Sequence, residues 1–171
     1  MPVLKIVTYG NPVLTRPAKP VEVIDEEIRE LAHNMVLTMH AAPGIGLAAP
    51  QVNVSRRVIT VDLSVGERPE DLLVLVNPEI LENEGEVYTE EGCLSVPGIE
   101  ERVRRPAKVK VRGLDLEGKE KVVHATGSLA RVFSHEIDHI NGRLFIEKLT
   151  PLKRALIKKK LKKLLEGDEE V

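Results

Sequence analysis

A chain of 171 residues, 42% apolar and 30% charged, is long enough to bury a real core as one domain and has the composition of an ordinary globular protein. Four aromatic residues in all (Tyr9, Tyr88, Phe133 and Phe145) and no tryptophan make stacking on nucleic-acid bases an unsuitable main activity. The net charge of −2 gives no global bias, and the single cysteine, Cys93, excludes an internal disulfide.

The N-terminus carries no signal-peptide pattern and no apolar run approaches membrane-spanning length, so the expected location is the cytoplasm, with no membrane partner. No internal repeat, low-complexity block or domain linker interrupts the chain.

The proline-rich opening, "NPVLTRPAKPVEV", reads as an extended segment wrapped over the body. Asp25 is placed to cap a first helix, along which Ile28, Leu31, Ala32, Met35 and Met39 keep to one apolar face until Pro43 and Gly44 stop it. Residues 56–63, "LLVLVNP" and "GEVYTEE" read as strands. The alternating stretch 107–125 turns near Glu117-Gly118 and reads as a β-hairpin.

A central helix is expected from Ser128 to Asn141, burying Leu129, Val132, Phe133, Ile137 and Ile140, with Gly142 as its C-cap. "RLFIEKL" reads as a last strand. Thr150-Pro151 then opens a basic helix with seven cations between Lys153 and Lys163 and no acid among them, followed by the acidic tail "EGDEEV". The expected fold is α+β, with mostly antiparallel strands packed around a central metal-binding helix and a C-terminal basic helix. Residues 1–150 are expected to form the body of a single domain, to which residues 151–171 also belong.

The chemistry starts at His135-Glu136-Ile137-Asp138-His139. Two histidines four apart share one face of a helix and can grip one metal ion, with the glutamate between them free to move protons. The longer metzincin pattern holds through Gly142 and fails at Phe145, and no histidine follows His139. Glu147, in the expected strand, and Glu166, at the end of the lysine-rich helix, are poorly placed donors, so the third ligand is expected upstream.

"EGCLS", residues 91–95, offers Cys93. Alone, a cysteine is more often a small buried residue; beside a two-histidine helix short of a ligand, a thiolate for zinc or ferrous iron becomes the better reading. Gly92 would allow close backbone approach there. A catalytic cysteine with a histidine base is the rival reading, and it leaves the His-Glu-x-x-His spacing unexplained. "GIGLAAPQ", residues 44–51, fits neither the Rossmann nor the P-loop pattern. By itself it reads as a loop of small residues that ends a helix, with a donor role for Gln51 as the functional alternative.

Taken together and in this order, Gly44-Ile45-Gly46-Leu47-Ala48-Ala49-Pro50-Gln51, Glu91-Gly92-Cys93-Leu94-Ser95 and His135-Glu136-Ile137-Asp138-His139 resemble the three motifs of the peptide deformylases, and the likeness extends to the opening "GNPVL". The resemblance implies a metal-dependent amidohydrolase that removes the formyl group from the N-terminal formylmethionine of new polypeptides. It implies Cys93, His135 and His139 as metal ligands, Glu136 as general base and acid, and Gln51 with the Leu94 backbone N–H as donors to the oxyanion. Gly46 would touch the substrate main chain, and Gly44, Glu91 and Arg131 would shape the methionine pocket. Asp138 is expected to steady the helix, through Arg105. One divalent ion is implied, Fe²⁺ in the cell, with Zn²⁺, Ni²⁺ or Co²⁺ also compatible with the ligands.

The basic helix, Lys153 to Lys163, is similar to C-terminal extensions that contact the ribosome. Ser128 and Ser134 depart from the common pattern and are expected to bear on the pocket rim. Two other readings share the metal helix: a metalloendopeptidase, and a non-catalytic ribosome-associated zinc adaptor, which would have no need of Glu136 or Gln51.

Overall fold

The structure is a computed structural model that describes residues 3–169; Glu170 and Val171, the end of the acidic tail, lie outside the described residues. Three α-helices are α1 (Glu26–Ala41), α2 (Gly127–Ile140) and α3 (Pro151–Glu169). Seven strands are β1 (Gly46–Ala48), β2 (Val58–Val61), β3 (Leu73–Glu84), β4 (Val87–Cys93), β5 (Val96–Arg105), β6 (Lys108–Leu114) and β7 (Glu120–Thr126). They form one sheet in the order β1-β2-β3-β6-β7 and a separate β4-β5 ribbon, with every pair antiparallel. This is the expected α+β architecture. Among the described residues no helix is long and apolar enough to cross a membrane.

Several helix ends have an identifiable partner. The Asp25 carboxylate accepts from the Ile28 N–H at 3.1 Å, satisfying an otherwise orphaned donor of α1. The α2 helix starts one residue before the expected position and stops at Asn141, where Gly142 adopts φ 77°. A Cβ at Gly142 would lie 2.7 Å from the Arg16 carbonyl carbon, so glycine answers both backbone and space. Arg57 closes the same end, donating to the Ile140 carbonyl at 2.9 Å and the Asn141 side chain at 2.7 Å. Thr150 accepts from the Lys153 N–H at 3.3 Å at the start of α3.

The core lies in three clusters. The largest packs Ile59, Val61, Leu75, Val109 and Val111 of the sheet against Val132, Phe133, Ile137 and Ile140 of α2. A second packs α1, through Met35 and Met39, on Leu47, Val58 and Val76. A third joins Val96, Ile99 and Val103 of β5 to Ile157 and Leu161 of α3. The metal helix is thereby held by the sheet, while the ribbon and α3 form a separate apolar body beside it.

The opening segment does wrap over the body. Val7 N–H donates to the Gln51 carbonyl at 2.8 Å and Tyr9 N–H to the Ser95 carbonyl at 2.7 Å, while the Asn77 amide clamps Val21 through two bonds of 2.8 Å. It is not extended throughout, because Pro12–Thr15 form a 3₁₀ turn capped by Asn11. The expected last strand is also a 3₁₀ turn, Phe145–Lys148. Leu144, Phe145 and Ile146 are all buried in the cluster that joins β5 to α3, and the turn is closed by the Glu147 N–H on the Leu144 carbonyl at 3.0 Å and the Leu149 N–H on the Ile146 carbonyl at 3.2 Å. Two strands escaped the sequence reading. β1 is three small or aliphatic residues inside the apparent loop, and β5 contains Pro97 and Gly98 and is crowded with charge.

Candidate metal centre

The rigid α2 helix sets the geometry. His135 and His139 lie one turn apart, with ring centroids 4.8 Å apart and Nε2 atoms 3.1 Å apart. Cys93 ends β4, where the register of the ribbon slips between Gly92 and Cys93, and its Sγ lies 3.3 Å from His139 Nε2. The three candidate donor atoms fall within 4.8 Å of one another.

The donors are oriented by the groups behind them. His135 Nδ1–H donates to Glu91 Oε1 at 2.7 Å, so that in the neutral ring the Nε2 lone pair faces Cys93 and His139. Glu91 is itself fixed by Arg105, through bonds of 2.6 and 2.9 Å. The Arg105 side chain is completely buried and also donates to Asp138 at 2.6 Å and Ser134 Oγ at 3.2 Å. The sequence pairs Arg105 with Asp138; its larger role, as a hub tying β4 to α2, has no local signal beyond a cation on an inward-facing strand position. Ser134 is buried under Arg105 rather than at the rim, and Ser128 is exposed at the start of α2.

Electrostatics follow the same contacts. Burial opposes the charge on Glu91, but the hydrogen bonds from His135 and Arg105 outweigh it and hold the carboxyl down at about 2. Burial also opposes a proton on His135, yet the bonds to Cys93 and Glu91 push the ring up to about 10, whereas His139 is driven well below the usual histidine range by burial and by its charged neighbour. A metal must find both rings neutral and the thiol ionised, so its binding here expels protons.

One sulfur and two imidazole nitrogens form a donor set suited to zinc or a first-row transition metal. His139 Nδ1 and Glu136 Oε1 are buried without a hydrogen-bond partner. The fit to a divalent ion is good on both counts: the lone pairs converge, and the neighbouring carboxylate is left uncommitted.

Glu136 lies beside the donors on α2, and burial pushes its carboxyl up to about 7. It packs onto β1 so closely that a Cβ on Gly46 would lie 2.5 Å from Oε2 and 2.8 Å from Val132 Cγ1. The close approach expected at Gly92 is therefore found at Gly46; a Cβ at Gly92 would meet only ordinary contacts, the nearest at 3.5 Å. Gly44 faces Leu94, whose Cδ1 would lie 3.1 Å from an added Cβ. The Gln51 side-chain Oε1 accepts from the Ala48 N–H at 3.0 Å, which turns Nε2 toward Ser95 Oγ at 3.2 Å and Cys93 Sγ at 3.6 Å.

These residues open on a cleft of about 930 Å³. Gly44, Gly46, Gln51, Glu91, Cys93, Leu94, Arg131, His135 and Glu136 all line it, whereas His139 sits behind. Arg131 donates to the Glu90 carbonyl at 3.4 Å across the rim. Glu91 reaches the cleft with its carboxylate committed to Arg105 and His135, so its contacts are those of a positioning group.

A family model described as polypeptide deformylase matches residues 3–155. The peptide deformylase of Thermodesulfovibrio yellowstonii is 50% identical over 162 residues, 95% of this chain and 98% of that one. That of Halothermothrix orenii is 52% identical over 157 residues, 92% and 100% of the two chains. The crystal structure of a peptide deformylase from Legionella pneumophila superposes with a TM-score of 0.92 at 43% identity, covering 99% of both chains. With a cysteine and two histidines converging beside an uncommitted glutamate, and likeness along nearly the whole length, the chain belongs to the polypeptide deformylase family, metal-dependent hydrolases that remove the formyl group from the N-terminal methionine of new polypeptides.

Proposed function

We propose that Cys93, His135 and His139 hold one divalent ion and that Glu136 drives hydrolysis of the formyl group beside it. The observation that carries this reading is the buried, unpartnered Glu136 oxygen next to three donor atoms within 4.8 Å of one another. A purely structural metal site has no use for such a group, which costs free energy to bury.

When bound, the ion supplies Lewis-acid polarisation and makes water acidic enough to lose a proton near neutral pH. Glu136 accepts that proton as the water oxygen attacks the formyl carbon. The Gln51 amide and the Leu94 backbone N–H donate to the formyl oxygen as negative charge gathers there. Glu136 then passes the proton to the departing nitrogen, the C–N bond breaks, and formate and a free amino terminus result. Gly46 leaves the β1 backbone open to the substrate main chain. Gly44 and Arg131, with Glu91 behind them, shape the methionine pocket.

Gly46→Ala tests the packing that aims Glu136. The added methyl must displace the carboxylate or Val132, and misplacement by about 1 Å costs roughly 10²-fold. We expect kcat/KM for a formyl-Met peptide to fall by about that factor while the protein stays folded; normal activity would mean that Glu136 can shift at no cost.

We infer ferrous iron as the ion in the cell, on the resemblance to the deformylases and on a thiolate-imidazole donor set that accepts it. Anaerobically prepared protein should release formate from formyl-Met peptides, lose activity to a chelator and regain it with Fe²⁺ or Ni²⁺. The iron form should decay in air and the nickel form persist, because ferrous iron on a thiolate is the more easily oxidised. Equal half-lives in air would remove the case for iron; no formate release from any metal form would overturn the reading itself.

We further propose that the chain works in the cytoplasm as one catalytic domain that includes α3, and that the outer face of α3 contacts the ribosome. Lys158, Lys159 and Lys162 are exposed there, a cationic surface suited to RNA phosphate. Because α3 buries Ile157 and Leu161, its removal would disturb the core, and charge reversal is the cleaner test. Lys158→Glu, Lys159→Glu and Lys162→Glu together should weaken co-sedimentation with ribosomes at low salt; unchanged co-sedimentation would return this face to an ordinary solvated surface.

A further inference from the structure

The catalytic cleft has a wall that the chemistry above leaves unused. Leu156 and Lys160 of α3 line the same cavity as Cys93, His135 and Glu136. Their placement follows from the helix: Ile157 and Leu161 point into the core, and Leu156 and Lys160, four residues apart, run along one flank of that stripe. Lys153 projects from the same flank and pairs with Glu101 of β5 at 2.9 Å, which ties this side of α3 to the ribbon. Leu156 remains 60% exposed, a large apolar side chain held at the edge of a substrate cleft.

The cavity of about 930 Å³ is near the upper end for a ligand pocket and offers more room than a formylmethionyl group fills. The substrate is a polypeptide, and an extended chain advances about 3.3 Å per residue beyond its methionine. The continuing residues must leave through this cleft.

We propose that Leu156 and Lys160 form a downstream subsite that contacts substrate residues after the methionine and favours apolar and acidic side chains there. The inference rests on the deformylase reading of the cleft and deepens it. Glu100 and Glu101 line the same cavity and oppose acidic residues, so the overall preference of the enzyme is a sum of opposed terms. The test must therefore read the change made by one side chain.

The experiment uses the full-length, metal-loaded protein and formyl-Met pentapeptides carrying Asp, Lys, Leu or Gly at each of the second to fifth positions, with formate release as the readout. Lys160→Glu should lower the Asp-to-Lys ratio of kcat/KM by about three- to tenfold at one or more positions, as expected for reversing one exposed charge contact, and added salt should shrink the effect. Leu156→Ala should lower the Leu-to-Gly ratio by about two- to threefold through a rise in KM. Lys158→Glu makes the same change in net charge on the opposite flank and should keep the ratio of the unmodified enzyme. Equal shifts from Lys160→Glu and Lys158→Glu would assign the effect to the general field and overturn the subsite, as would no shift from either. Failure of the unmodified enzyme to release formate from any peptide would strike the deformylase reading, and the subsite with it.

Discussion

Glu136→Gln is expected to lower kcat by about 10²–10⁴-fold, the usual worth of a positioned acid–base group, while metal content and fold are retained. The isosteric amide keeps the volume packed against Gly46 and removes only the ability to take and return a proton. The same change should alter stability in a direction set by pH. Burial raises the Glu136 carboxyl to about 7 from an ordinary value near 4.5. The folded metal-free protein therefore holds this proton where the unfolded chain has lost it, and the stability it contributes is present below about pH 4.5 and is lost as pH rises through about 7. Glutamine carries no such penalty. In denaturant titrations of metal-free protein at pH 8, the Glu136→Gln variant should be the more stable of the two. Near-normal turnover would end the acid–base assignment; a less stable variant at pH 8 would show that the buried carboxylate is compensated by some other charge.

What the sequence made legible was whatever is encoded over one or two turns of chain. The His135–His139 spacing declares a shared helical face, Asp25 a helix start, and Gly118 a hairpin turn, and each stands where it was expected. The centre as a unit was legible only through three motifs met in order, because nothing local ties Cys93 to His135, 42 residues downstream. Less visible were features whose cause lies across the fold. Gly46 is recognisable as a glycine in a motif, but the reason for it is Glu136, ninety residues away. β5 hides behind Pro97, Gly98 and a crowd of charges, because its inward positions end in Arg105 rather than in an apolar residue. The 3₁₀ turn at Phe145 was mistaken for a strand, since an apolar run alone does not separate the two. The place of Leu156 and Lys160 in the cleft wall has no local signal, because it depends on how α3 packs against β5.

Glu91→Ala should destabilise the fold by about 2–3 kcal/mol, less than the roughly 3–5 kcal/mol usual for a buried charge left with no partner, because Arg105 still faces Asp138 at 2.6 Å. Arg105 would keep Asp138 and Ser134 but lose both of its bonds to Glu91. The difference from the unmodified protein should be full above about pH 4.5 and fade as pH falls toward about 2, because the Glu91 carboxyl is held down to that value in the fold. Metal affinity should fall as well, by about 10–100-fold, since His135 loses the acceptor that fixes its ring and tautomer. The two losses can be separated. Adding Arg105→Met removes the under-compensated buried cation and leaves the partly exposed Asp138 with Lys148 at 3.6 Å, so the double variant should recover part of the stability lost by Glu91→Ala alone. It restores nothing behind His135, and its metal affinity should stay low. Recovery of affinity together with stability would mean that Glu91 serves the fold alone, and that the orientation of His135 is set by its packing in α2.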